Sequence, residues 1–229
     1  MEILSQRYRQ SLSDGAFPLS TDSMALADFV RLPRNAQVLD LGSGCGTLGL
    51  LLCAKDAGCT VTGVELSESD HRTALENIRD NGLQPRLYSI CADLRSLPPS
   101  LRPGTFHCCV SNPPYFSGGA ASRAHPTARR DDCCKTAQLF AAAAQSLRFG
   151  GDFFLVHKPE RLAELCYEAG RSGLQPKRLR LVRHRPGGPV TTLLLQCRKG
   201  GKVGMVWEEM TLHDENGAPT GDYRRIYHL

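Results

Sequence analysis

Ala36-Gln37-Val38-Leu39-Asp40-Leu41-Gly42-Ser43-Gly44-Cys45-Gly46 is the stretch on which the fold turns. Its first six residues, apolar but for Gln37 and Asp40, read as a buried strand. Three glycines at alternate positions follow at once. Glycine lets a backbone turn sharply and approach a ligand without a Cβ in the way. Thr47–Ala57 then shows apolar residues at helical spacing. Strand, glycine turn and helix, in that order, open an α/β fold with a parallel sheet.

The same alternation continues downstream. Thr60–Glu65, Arg86–Ala92, Phe106–Ser111 and Asp152–His157 read as further strands. Glu68–Asn81 (Ser67 as N-cap, Gly82 as C-cap signal), Thr136–Leu147 and Glu160–Ser172 read as helices. Pro176–Arg183 and Val190–Arg198 read as two strands joined by the turn Pro186-Gly187-Gly188-Pro189. The expectation is a Rossmann-like, mostly parallel seven-stranded sheet ending in an antiparallel C-terminal hairpin. Ligands of such sheets bind beyond the C-terminal strand ends, so the chemistry belongs in the turns after the first four strands.

Composition narrows the class. The 229 residues are 41% hydrophobic and 22% charged, the balance of a globular chain. No apolar run approaches the length of a membrane span. Met1–Gln10 lacks the apolar segment of a secretory signal, so the chain reads as cytoplasmic. The ten cysteines form no C-x-x-C pair and read as free thiols in a reducing compartment, with no metal site. The net charge of +5 is unevenly spread. Gln175–Lys202 carries Lys177, Arg178, Arg180, Arg183, Arg185, Arg198, Lys199 and Lys202 and no acid. Such a stretch reads equally as a polyanion-facing surface or as solvated strand edges.

Glu65 closes the second strand, where a carboxylate can accept both hydroxyls of a ribose. Together with the glycine turn it points to an adenosyl cofactor lying across the strand ends. Gly44-Cys45-Gly46-Thr47-Leu48-Gly49 also fits the dinucleotide fingerprint, so a nicotinamide cofactor stays open here. Asp40, just below the turn, suits the cationic methionine end of S-adenosylmethionine better than a pyrophosphate. Asp93, after the third strand, is placed either to meet an adenine amino group or to cap a turn.

Ser111-Asn112-Pro113-Pro114-Tyr115-Phe116 ends the fourth strand. Two successive prolines make a rigid turn without N–H donors. The Asn112 side-chain oxygen and the Pro113 carbonyl are then placed to accept both protons of an –NH2 group. Tyr115 is placed to stack on a flat substrate. Such a corner holds an amine in line with a methyl donor and favours the pyramidal nitrogen of the transition state.

On these residues the sequence resembles the class I S-adenosylmethionine-dependent methyltransferases with an Asn-Pro-Pro-Tyr motif, most closely the tRNA1(Val) adenine-37 N6-methyltransferase family. The likeness covers almost the whole chain. Phe17–Ala27 is similar to the family's F-x-x-[ST]-x-D-[AS]-hydrophobic-L-A segment, which leads a helix against the cofactor. Phe154–Leu162, Pro176–Val182 and the Asp214–Tyr227 tail resemble its later strands and ending. Cys45 stands where many relatives have Thr, and Ala128-Arg129-Arg130-Asp131 departs from the usual segment after the motif.

The resemblance implies two parts: residues 1–35 as an extension with a helix packed on the cofactor site, and residues 36–229 as the methyltransferase domain. It implies a donor site of Thr21, Asp22, Asp40, Gly42, Ser43, Gly44, Gly46, Glu65, Leu66, Asp93 and Leu94. It places Asn112, Pro113, Pro114 and Tyr115 on the target amine, an adenine N6 in RNA, with adenine 37 of a tRNA as the leading candidate. Arg123, Arg129, Arg130, Lys135, Lys177, Arg178, Arg180, Arg183 and Arg185 are expected on the phosphates of a tRNA bound by a monomer. The rivals are transfer to an rRNA or DNA base, transfer to a protein glutamine amide, and a non-catalytic RNA-binding subunit. The basic hairpin and the short segment before Ala36 argue against the glutamine amide.

Overall fold

The computed structural model describes residues 2–3, 8–14, 19–113 and 136–227. β1 (Glu2–Ile3) and β2 (Arg9–Gln10) form a small antiparallel ladder. There follow α1 (Thr21–Phe29), β3 (Gln37–Leu41), α2 (Thr47–Lys55), β4 (Thr60–Glu65), α3 (Glu68–Asp80), β5 (Leu87–Cys91) and β6 (Phe106–Ser111). Then come α4 (Thr136–Ser146), β7 (Leu147–His157), α5 (Leu162–Arg171), β8 (Leu174–Arg183), β9 (Val190–Lys199), β10 (Val206–Thr211) and α6 (Gly221–Tyr227).

The main sheet runs β10-β8-β9-β7-β6-β3-β4-β5. Its β7-β6-β3-β4-β5 part is parallel. β9 runs antiparallel to both β7 and β8, which is the expected hairpin. Among the described residues the sheet has eight strands rather than the seven expected. The extra strand, β10, lies parallel to β8 at one edge. Its sequence, Val-Trp-Glu-Glu-Met-Thr, hides the strand because Glu208 and Glu209 break the apolar pattern. Glu208 points at two arginines of β8, so only Met210 supplies a fully buried apolar side chain.

Alternation along each strand sorts side chains onto two faces. One face packs Val38, Val110, Phe154, Val156, Val182 and Leu194 under α1, α2 and α6. The other packs Leu39, Leu41, Cys109, Phe153, Leu155 and Leu195 under α4 and α5. Both faces are covered, so the central strands are apolar throughout. α3 is capped by Ser67, whose Oγ accepts from Asp70 N, and it is followed by Gly82 at φ +65°, as its caps predict. β7 starts five residues earlier than expected, running straight on from α4 through a register shift opposite Phe106–Cys108. α5 starts two residues late, because Pro159 opens a 3-10 turn over Pro159–Arg161. The eight described cysteines are all free thiols. Among the described residues no helix is long and apolar enough to cross a membrane.

Candidate active site

Four neighbouring parallel strands end side by side, in the order β6, β3, β4, β5. Their ends carry Asn112, the glycine turn with Asp40 beneath it, Glu65 and Asp93. At about 4.8 Å per strand the row is roughly 14 Å long. It lies where the chain order reverses across β3, the switch point at which such sheets take ligands.

The glycine turn is built on backbone geometry. Gly42, Gly44 and Gly46 have φ of +76°, +53° and +87°, values that L side chains rarely adopt. The turn lies directly on β4: a Cβ added at Gly63 would come within 2.5 Å of Ser43 Oγ. Gly42 N and Ser43 N both donate to Val64 O, at 2.9 and 3.1 Å. Glu65 holds the turn from the other side. Its Oε2 accepts from Gly44 N and its Oε1 from Ser67 N, each at 2.8 Å. A carboxylate oxygen has two acceptor positions, so Glu65 can do this and still receive ribose hydroxyls. Burial pushes its pKa up, against the pull of these N–H donors.

Asp40 is 1% exposed, and neither of its oxygens has a hydrogen-bond partner. Burial first, and then the Glu65 charge, push its pKa up to about 8. A buried carboxyl with no partner is costly unless something cationic comes to it. Ser43 Oγ, which lies over Gly63 of β4, is also buried without a partner.

Asn112 stands on the same face as Asp40. Asp40 pairs with Val110 across the β3–β6 ladder, and Asn112 is the second residue beyond Val110. Ser111 Oγ donates to Leu41 O at 2.7 Å and ties the two strand ends together. Asn112 Nδ2 donates to Ser23 Oγ of α1 at 2.9 Å. At the end of β7, His157 is buried with its Nδ1 accepting from Lys158 N at 2.8 Å; burial holds its pKa down at about 4, so the ring is neutral.

Several expected site residues have another task. Asp93 caps the 3-10 turn Leu94–Ser96: its Oδ1 accepts from Arg95 N at 2.8 Å, and its carboxylate takes the Arg95 guanidinium at 2.5–2.9 Å. The turn-cap alternative therefore describes its carboxylate. Leu66, 48% exposed beside Glu65, and half-buried Leu94 are the apolar surfaces there. Thr21 Oγ1 lies 2.6 Å from Tyr227 Oη, and Asp22 Oδ1 accepts from Thr192 Oγ1 at 2.9 Å. These two side chains, expected on the donor, fasten the first turn of α1 to α6 and β9.

The basic hairpin needs a correction. Arg178 is a buried residue that lies 4.2 Å above the Phe29 ring, and its Nε donates to Glu208 Oε1 at 2.9 Å. Arg180 pairs with Asp28 at 2.7 Å and Glu208 at 2.8 Å. Alternation puts both on the face covered by α1, so they are internal ion pairs and not a row facing phosphate. Lys177 Nζ donates to Lys202 O. Arg183 donates to Gly188 O at 2.8 Å and approaches Glu209 at 3.3 Å; Arg185 is exposed at the turn. The register sets this turn beyond the level of His157, at the end of the sheet that carries Asn112. Pro114, Tyr115, Arg123, Arg129, Arg130 and Lys135 lie outside the described residues.

Other contacts had little or no local signal. The N-terminal segment is held along α3 by two asparagines four residues apart. Asn81 Oδ1 accepts from Arg9 N and its Nδ2 donates to Arg9 O; Asn77 does the same for Ser11. Asn77 Nδ2 also donates to Cys45 O of the glycine turn, at 2.9 Å. Only the i, i+4 spacing of the two asparagines hinted at a shared helix face.

A doubly wound sheet with a glycine turn, an acidic second strand end and an amide-bearing fourth strand end is the class I methyltransferase arrangement. Residues 19–165 match the methyltransferase small domain family, and the chain belongs to that family. It is similar to the tRNA1(Val) (adenine(37)-N6)-methyltransferase of Photobacterium profundum, with 26% identity over 201 residues covering 86% of this chain and 84% of the relative. Among solved structures it is similar to a protein of Agrobacterium tumefaciens described as a predicted O-methyltransferase, with a TM-score of 0.76 at 23% identity, covering 91% of this chain and 96% of that one. It also resembles the geranyl diphosphate C-methyltransferase of Streptomyces coelicolor A3(2), solved with S-adenosyl-L-homocysteine, with a TM-score of 0.59 at 13% identity, covering 77% and 79% of the two chains.

Proposed function

We propose that the chain transfers the methyl group of S-adenosylmethionine to the exocyclic N6 amine of an adenine in tRNA, with adenine 37 of tRNA1(Val) as the target. The observation that carries the reading is the pairing of two features on one sheet face: Asp40, buried without a partner, and the Asn112 corner on the neighbouring strand end.

The residues present fit the donor. The buried Asp40 carboxyl suits a cationic amino-acid end, the glycine turn admits its close approach, and Glu65 suits ribose hydroxyls. When bound, the donor supplies an electrophilic methyl carbon on a positively charged sulfur. Asn112 Oδ1 and the Pro113 carbonyl accept the two protons of the target amine and orient its lone pair. Positioning of this kind can carry most of the acceleration. The methylated amine is acidic enough to lose its proton to water, so a dedicated base is not required.

The adenine comes from the names of the curated relatives and from the flat, –NH2-bearing substrate that this corner suits. Arg183 and Arg185, at the same end of the sheet, supply phosphate contacts. The target base leaves its stack to reach the corner, at a cost of a few kcal/mol. The test uses tRNA from cells lacking the gene for this chain, incubated with the purified protein and S-adenosylmethionine. Mass spectrometry of the nucleosides should show N6-methyladenosine, mapped to position 37 of tRNA1(Val). RNA binding with no methyl transfer would favour the non-catalytic subunit instead.

A further inference from the structure

Three successive residues in the first turn of α1 each grip a different part of the chain. Thr21 meets Tyr227 of α6, Asp22 accepts from Thr192 of β9, and Ser23 accepts from Asn112 at the end of β6. The first two contacts fix the turn. The third reaches the corner where the target amine is proposed to sit.

We infer that Ser23 is the positioning residue for Asn112, setting which end of its side-chain amide faces the substrate. This rests on the reading of Asn112 as the amine-holding residue. A primary amide has a donor end and an acceptor end of nearly the same shape, so packing alone does not choose between them. An amine needs the oxygen turned toward it, and the reversed amide would set donor against donor. Ser23 is 6% exposed, and its Oγ lies 2.9 Å from Asn112 Nδ2. Its own proton has a destination: Ser20 Oγ lies 3.3 Å away and also accepts from Ser23 N. With that proton directed to Ser20, the Ser23 oxygen presents a lone pair to Asn112. The chain Asn112 to Ser23 to Ser20 runs one way and turns the amide oxygen away from α1.

Ser23→Ala removes the acceptor and keeps a good helix former. In the full chain, the expected result is a fall in kcat of about tenfold or more. KM for tRNA, the dissociation constant for S-adenosylhomocysteine and the melting temperature should stay near wild type. In 15N-labelled protein, the side-chain NH2 pair of Asn112, assigned by its loss in Asn112→Ala, should show one proton protected from solvent exchange. Ser23→Ala should abolish that protection. Wild-type kcat in Ser23→Ala overturns the inference, and so does an unaltered Asn112 NH2 pair. A kcat loss matched by weaker S-adenosylhomocysteine binding or a lower melting temperature also overturns it, since the residue would then be packing only. Asn112→Ala separates this from the underlying reading. If that variant turns over like wild type, the corner does not hold the amine and both fall; if it is inactive while Ser23→Ala is not slowed, only the inference falls.

Discussion

Arg178 Nε donates to Glu208 Oε1 at 2.9 Å, joining β8 to the edge strand β10 with only 8% of the arginine side chain exposed. The same Glu208 also holds Arg180, and Arg180 holds Asp28 of α1. This ion-pair cluster fastens α1 to the sheet, and the first turn of α1 carries Ser23.

Glu208→Ala should therefore destabilise the chain by about 2–4 kcal/mol, because a buried guanidinium loses its counter-ion. Urea denaturation measures it. Unchanged stability would mean that the cluster is solvated after all.

Arg183→Ala with Arg185→Ala should act on RNA and not on the fold. The slope of log affinity for tRNA against log salt should flatten by roughly 1.5–2, one phosphate for each arginine. The melting temperature should hold. A slope equal to wild type would take the hairpin turn off the RNA.

Glu65→Ala should lower the affinity for S-adenosylmethionine at least tenfold in calorimetry. It removes the ribose acceptor and also releases Gly44 N and Ser67 N, which loosens the glycine turn. Wild-type affinity would remove Glu65 from the donor site.

Asp40 makes stability depend on pH in a stated direction. Its carboxyl keeps its proton in the folded chain up to about pH 8, whereas in the unfolded chain it ionises near its ordinary value of 3.8. Below both values it has no effect. As the pH rises from about 4 to about 8, the unfolded chain sheds a proton that the fold retains, so stability falls. Asp40→Asn should abolish this component, raise the melting temperature of the free protein at pH 8 by several degrees and weaken S-adenosylmethionine binding. Melting curves of the two proteins from pH 5 to 9 check it; parallel curves would contradict it.

Asn77→Ala with Asn81→Ala should free the N-terminal segment from α3. Hydrogen exchange at the Arg9 and Ser11 amides should then speed up while β3 and β4 stay protected. Unchanged exchange at both amides would mean that β1 alone holds the segment.

Much of the site was legible because it is written locally. The Val38–Gly46 run specifies a buried strand and a turn that only glycine can make, and both appear as read. Glu65 and Asn112 are the terminal or next residues of strands, and their place at the strand ends follows from the α/β pattern alone. The basic hairpin shows where local reading stops. Its charges were plain, but whether they face RNA or an internal acid depends on β10, which begins 28 residues further on from Arg178. Asp93 was ambiguous for a related reason: whether its carboxylate turns to Arg95, two residues on, depends on side-chain direction, which is not a property of spacing.

What the linear order of residues determined, then, is the set of strands, the turn geometry and which chemical groups stand at the strand ends. These follow from backbone sterics and from alternation, both of which act over a few residues. Only the folded chain decided that Arg178 and Arg180 meet Glu208, that Asp40 is sealed off without a partner, and that Ser23 meets Asn112 across 89 positions. Such contacts depend on which faces pack together, and packing is settled by the whole core at once.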